Sequence, residues 1–353
     1  MNWLLIFIPI AAGLEAFAPQ HDELIFVSSG LAILPLAAWM GHATEQLADR
    51  MGEAVGGLLN ATFGNAAELI IALVALHAGL HDVVEASLIG SIIGNILLVL
   101  GASMLAGGLR HSEQRFNAAG ASAEATMLTL AAIALVVPAV FEVVAGRPPE
   151  NLRPLSFAIS IVLLLVYFAF LAFSLVTHSK LFKSSAGEPE KAPARSSTAR
   201  AALVLAGATA AIAWMSELLV STIESTTHEL GLSKMFVGVF VVAILGNAAE
   251  HATAITAALK NRMELSLSIA IGSSIQVALF VAPLLIIASF FIGPGPMDLA
   301  FPVNLIVILM LSVLITGQVA SDGRSDWLKG TQLLAVYVIL GLTYLFLPEA
   351  TSH

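Results

Sequence analysis

Two short stretches of this 353-residue chain carry the same chemistry. Residues 64–68 and 246–250 both read GNAAE, 182 positions apart. Each copy ends in a glutamate (Glu68, Glu250), with an asparagine three residues earlier (Asn65, Asn247) and a glycine before that (Gly64, Gly246). Positions three apart share a helical face, so amide and carboxylate point the same way. The surrounding runs, ATFGNAAELIIALVAL and VVAILGNAAEHATAITAAL, hold no Lys or Arg to neutralise the acids. Two carboxylates with amide and carbonyl oxygens form a hard donor set that suits Ca²⁺, Mg²⁺ or Mn²⁺ rather than copper or zinc. Two glutamates also balance one divalent ion. When that ion leaves an apolar site, protons are the natural replacement, because burial and mutual repulsion disfavour two bare carboxylates. Sodium would fill the same donors, and charge balance does not separate the two.

The same register continues past the glutamates. Gly90 and Ser91 meet Gly272 and Ser273 at the 182-residue offset. Ser91 and Ser273 are candidate ion ligands, although small residues also serve close helix packing. Asn65 and Asn247 are either ligands or interhelical hydrogen-bond partners. Gly64 and Gly246 let a helix open and offer its carbonyls. His251 departs from the repeat, its counterpart being Leu69, and reads as a proton relay or a core histidine. Asn95 and Gln276 either line an ion path or pack. Glu45 and Glu217 form a second pair, each in the span before a GNAAE segment, as gate or proton entry or as interfacial acids. Their distances to the motif differ by ten residues, which requires an insertion in the second half such as ESTTHELGLS (224–233). Glu15, Glu124 and Glu142 read as solvated helix-end acids. His77, His81, Asp82 and Glu85 read as an external turn.

The elements that must hold these groups are membrane helices. The chain is 58% hydrophobic and 11% charged, with a mean hydropathy of +0.93. A soluble domain carries roughly 25% charged residues, so a soluble enzyme and a disordered scaffold are excluded. A net charge of −9 argues against a nucleic-acid partner. No cysteine is present, which removes disulfides and thiolate metal sites. A crossing helix needs about 20 mainly apolar residues. Eleven such stretches lie near 2–18, 24–42, 56–79, 83–107, 118–141, 154–177, 200–222, 235–258, 264–292, 299–319 and 327–347. The first lacks a basic start and reads as a retained span rather than a cleaved leader.

Eleven spans divide the basic residues 12 against 3 between the two sides, the minority being Arg147, Arg153 and Lys234. The basic side is cytoplasmic by the positive-inside bias, which puts the N-terminus in and the C-terminus out. The one polar low-complexity stretch, 179–198, reads as a cytoplasmic linker. The expected organisation is therefore an all-α polytopic membrane protein. It has an N-terminal helix (1–20), a five-helix repeat (21–178), the linker, and a second five-helix repeat (199–353). Five is odd, so the second copy is inverted. Inverted repeats place a site near the midplane and alternate access to it, the plan of a secondary transporter.

The segments GLLNATFGNAAELIIAL (57–73) with LIGSIIGNILLVLG (88–101), and VGVFVVAILGNAAEHATAITAALKN (237–261) with LSIAIGSSIQVALF (267–280), resemble the two signature regions of the calcium/proton exchangers. That family is a branch of the cation/calcium exchanger superfamily, and the likeness runs over nearly the whole chain. It implies an antiporter exporting cytosolic Ca²⁺ against incoming protons, with no cofactor and no enzymatic reaction. The glutamates matching Glu68 and Glu250 bind the ion and take up protons. Acids matching Glu45 and Glu217 belong to sliding gate helices. Members often carry an acidic central linker; here only Glu188 and Glu190 stand there, among basic residues. The partners implied are Ca²⁺, protons and the lipid bilayer, in a prokaryotic inner membrane, with homo-oligomers open. A Na⁺- or K⁺-coupled exchanger and a cation channel are the competing readings.

Overall fold

The computed structural model describes residues 2–51, 53–145, 152–178 and 197–346. Among them the chain is nearly all helical. In order it forms α1 (Asn2–Phe17), α2 (Asp22–Met51), α3 (Glu53–Phe63), α4 (Ala66–His77), α5 (His81–His111), α6 (Ala118–Ala145) and α7 (Leu152–Thr177). After the linker, most of which (179–196) lies outside the described residues, come α8 (Thr198–Ser221), α9 (Ile223–Leu230), α10 (Lys234–Leu259), α11 (Met263–Ser289), α12 (Val303–Ala320) and α13 (Trp327–Leu345). Nine of these are long and apolar enough to cross a membrane among the described residues; α1 and α4 are shorter apolar helices. Every apolar stretch of the sequence is thus helical, but 56–79 is two helices, broken at Gly64 and Asn65.

Two compact units emerge: residues 1–87, 188–249 and 343–353, and residues 88–187 and 250–342. The chain passes from one to the other inside α5, α10 and α13. In the first unit α2 and α8 pair antiparallel. Arg50 donates to Thr198 at 2.7 Å, Thr209 meets Met40 Sδ at 3.7 Å, and a Cβ on Gly30 would lie 3.6 Å from Leu219. The stretch 224–233, expected as an insertion, holds most of α9 and the turn after it. The helix ends at Gly231 in the left-handed conformation, where Leu232 N–H reaches back to Thr227 O at 3.0 Å. Ser233 then caps α10 by accepting from Phe236 N–H at 3.1 Å.

In the second unit α11 is the central helix, packed by α5, α6 and α7. Both α5 and α11 contain a π-helical turn, at Gly94–Val99 and Val277–Val281. The 182-residue offset superimposes the two turns to within a residue. A two-stranded ribbon pairs β1 (Glu113–Arg115) with β2 (Arg324–Asp326), tying the α5–α6 and α12–α13 connections together. Beside it the helices touch backbone to backbone. A Cβ on Gly330 would strike the backbone of Leu105 and Gly101, and one on Gly108 the backbone of Trp327.

That contact makes Gly330 a sharp probe. Gly330→Ala overpacks a backbone crossing that no rotamer change relieves, at a cost of about 1–3 kcal/mol. Gly317, in α12, has no atom within 4 Å of an added Cβ. Heating in detergent, followed by size-exclusion fluorescence, should show a lowered midpoint for Gly330→Ala and an unchanged one for Gly317→Ala.

Candidate functional site

The two copies of GNAAE fold differently. In the first, Gly64 and Asn65 leave the helix, Asn65 at φ −100° and ψ 22°, and α4 starts afresh at Ala66. Glu68 therefore stands in the first turn of a new helix. Negative charge is favoured there by the helix dipole and its unpaired N–H groups. In the second copy α10 runs through Gly246–Glu250 without a break. Gly246 earns its place by space: a Cβ there would sit 3.3 Å from both Cα and Cβ of Glu68. The motifs thus meet in the first unit, the glycine of one copy against the glutamate of the other. Glu68, Asn65 and Asn247 are buried, at 4%, 3% and 2% exposure. Asn247 anchors its amide by donating to Ala243 O at 3.0 Å.

One turn beyond Gly246, Glu250 is the first residue of α10 in the second unit. Ser273 of α11 hydrogen-bonds its carboxylate. Asn95, in the π-turn of α5, donates through Nδ2 to Ser273 Oγ at 3.1 Å. Asn95 Oδ1 in turn lies 3.1 Å from His251 Nε2. The amide oxygen only accepts, so His251 carries its proton on Nε2 in this contact. All donors then run one way: imidazole to amide, amide to hydroxyl, hydroxyl to carboxylate. Glu250 Oε2 is shielded from solvent and has no hydrogen-bond partner among the described residues. The carboxylate is therefore held on one side and left without a hydrogen bond on the other.

Four expected residues, Glu250, Ser273, Asn95 and His251, are brought together by this circuit. Ser91 is buried at 1% on α5, and its neighbour Ser274 ties α11 to α5 by donating to Ile92 O at 3.3 Å. Gln276 is partly exposed at the start of the second π-turn. Asn95, which pairs with Ser273, stands at the start of the first π-turn.

Glu45 and Glu217 do not join these groups. Both side chains are exposed, on α2 and α8 respectively, and Glu45 lies 3.5 Å from His42 Nδ1. The antiparallel register puts them about 13 residues apart along the pair, roughly 20 Å. They occupy opposite ends. At 30 residues α2 rises about 45 Å, longer than the hydrocarbon layer, and Glu45 falls in its last two turns.

One acid departs from expectation. Glu15 and Glu142 are exposed helix-end residues, but Glu124 is 5% exposed. Ser268 of α11 donates to its Oε1 at 3.2 Å. Six residues of α6 precede it, enough to carry it inside the packed unit, and the apolar run ATMLTLAAIALVV that follows was the available signal.

Comparison with known proteins places this geometry. The sodium/calcium exchanger protein family matches residues 23–176 and 200–346. A Ca²⁺/H⁺ antiporter of Aphanothece halophytica is 47% identical, covering 98% of this chain and 96% of that one. The Ca²⁺/H⁺ antiporter ChaA of Bacillus subtilis is 43% identical, covering 97% and 99%. Among solved structures, native YfkE superimposes with a TM-score of 0.83 at 39% identity, over 98% of this chain and all of the other. An H⁺/Ca²⁺ exchanger, CAX, shares the fold at a TM-score of 0.75 and 14% identity, over 98% and 91%. With the family's match spanning both halves of an apolar, helical chain, this protein belongs to the sodium/calcium exchanger protein family.

Proposed function

We propose that the chain is a secondary antiporter that exports cytosolic Ca²⁺ in exchange for protons. The observation that carries this reading is the placement of Glu68 and Glu250, two acids in apolar helices at equivalent positions of a repeat. The antiporters it resembles at 43–47% identity support the choice of ions. Among the described residues no three His, Cys, Asp or Glu side chains converge, so a bound cation takes its remaining ligands from carbonyls, amides and water.

In the inward-facing state Ca²⁺ from the cytosol binds the carboxylates of Glu68 and Glu250, with Asn65, Asn247, Ser91 and Gln276 supplying neutral oxygens or lining the path. Motion of α2 and α8, which carry Glu45 and Glu217, closes one side and opens the other. Protons arriving from outside neutralise both glutamates and release the ion. The neutral carrier then returns. The Ser273–Asn95–His251 circuit holds Glu250 in register through the cycle.

The topology that goes with this reading is an N-terminal helix and two inverted five-helix repeats, with the N-terminus and the 179–198 linker cytoplasmic and the C-terminus outside. The paired π-turns and the two matched stretches, 23–176 and 200–346, support it.

Glu68→Gln and Glu250→Gln should each abolish proton-driven ⁴⁵Ca²⁺ uptake into inside-out vesicles. Near-normal uptake in both would remove the glutamates from the mechanism. With the wild-type chain, replacing the pH gradient by a sodium gradient should leave uptake at background; sodium-driven uptake would instead mark a sodium-coupled exchanger. The absence of native cysteine makes single-cysteine labelling clean for topology. Ser321→Cys should react with an impermeant maleimide only in inside-out vesicles, and Glu229→Cys only in right-side-out ones.

A further inference from the structure

Glu124 is a buried carboxyl for which the exchange cycle above has no use. It lies on α6 at 5% exposure, its Oε1 accepts from Ser268, and its Oε2 is buried without a hydrogen-bond partner among the described residues. Glu264, in the first turn of α11, is close enough to act on it electrostatically. Three features tie this group to the ion site. Ser268 is five residues before Ser273 on one helix, about 7.5 Å along its axis. Glu264, Ser268, Gly272 and Gln276 recur every four residues, so they form one stripe down α11. All four are partly exposed, as are Leu265 and Ile269, while Ser266, Ser273 and Ser274 beside them are buried.

The other ionisable groups around Glu124 are few. Of the helices packed against α6, α12 carries none, α11 carries Glu264 alone, and α7 carries Tyr167 and Arg153. Tyr167 is stacked on Phe280 at 5.3 Å, and Arg153 begins α7 beside the far end of α6. On α6 itself Glu142 is five turns away, and Arg115, ahead of the helix, pairs with Glu113 at 3.2 Å. Among the described residues no hydrogen bond or ion pair joins Glu124 to a cation.

We propose that Glu124 is the proton carrier between the ion site and the cytosol, with Glu264 as its outlet; this rests on the antiporter reading. When cytosolic Ca²⁺ displaces a proton from Glu250, the proton passes along the α11 stripe to the Glu124 carboxylate. It leaves to water at Glu264, so Glu124 ends each cycle as it began. A carboxyl with one oxygen held by a hydroxyl and the other without a partner is suited to take and give a proton. Its two-atom donor set is too small to hold Ca²⁺. Proton and calcium ion thereby share Glu250 but leave it by different routes on the cytosolic side.

The separation of routes is testable, because exchange of ⁴⁵Ca²⁺ for unlabelled Ca²⁺ needs no proton movement. Purified wild type, Glu124→Gln and Glu264→Gln in liposomes are compared for Ca²⁺/Ca²⁺ exchange and for Ca²⁺-driven proton flux, across a pH series. Glu124→Gln should slow the proton-coupled flux by about tenfold or more and flatten its pH profile, while Ca²⁺/Ca²⁺ exchange stays within about twofold of wild type. Glu264→Gln, at a partly exposed position, should do the same more weakly and serves if the first variant is not recovered folded. Equal slowing of both fluxes would make Glu124 a structural or calcium-binding residue and overturn the proposal. Unchanged proton flux in both variants would overturn it too. Absence of proton flux in the wild type would fail the antiporter reading itself, a distinguishable result.

Discussion

A carboxylate at the centre of a bilayer costs about 2.5–3.5 kcal/mol on insertion scales, and a pair costs more because each repels the other. Nearly everything distinctive in this chain is arranged around two such groups. In the proposed cycle the cost is relieved when a divalent cation neutralises them and again when each carries a proton. Those two states are the loaded forms of the proposed antiporter, and the empty doubly charged form is the one the low dielectric disfavours. Coupling therefore needs no separate device. It follows from the penalty on leaving both glutamates bare.

The scaffold answers that constraint unequally in its two halves. Glu68 receives a helix start, made by the break at Gly64 and Asn65, with N–H groups and dipole turned to favour its charge. Glu250 sits within an unbroken helix and relies instead on a serine held by Asn95 and His251. Leu69 stands where a second histidine would be, so the circuit exists once. Small residues make the arrangement fit. Gly246 admits the backbone of α10 against Glu68, and Gly330 and Gly108 lock the helices around the ribbon.

Much of this was legible in the residues. Hydropathy located the long apolar helices, and the spacing difference between Glu45 and Glu217 pointed to the segment that holds most of α9. The repeated glutamates stood out because charge is so scarce. What stayed hidden depends on geometry that side-chain periodicity does not encode. The hydrogen bond from Asn95 to Ser273 joins helices 178 residues apart, which spacing along one helix does not encode. The two GNAAE copies are identical in letters, yet one breaks and the other does not. Glu124 lies near a helix start, and its burial comes from α11 packing over it, a partner more than a hundred residues away.

The central claim is that Ca²⁺ and protons compete for the same carboxylates. Calorimetric titration of Ca²⁺ into the purified protein, in two buffers of equal pH but different ionisation heat, measures the protons released per ion bound. The account predicts a net release that shrinks as the titration pH is raised and the site is already deprotonated. Binding heats that are identical in the two buffers at every pH, with Ca²⁺ bound and no proton released, would contradict it.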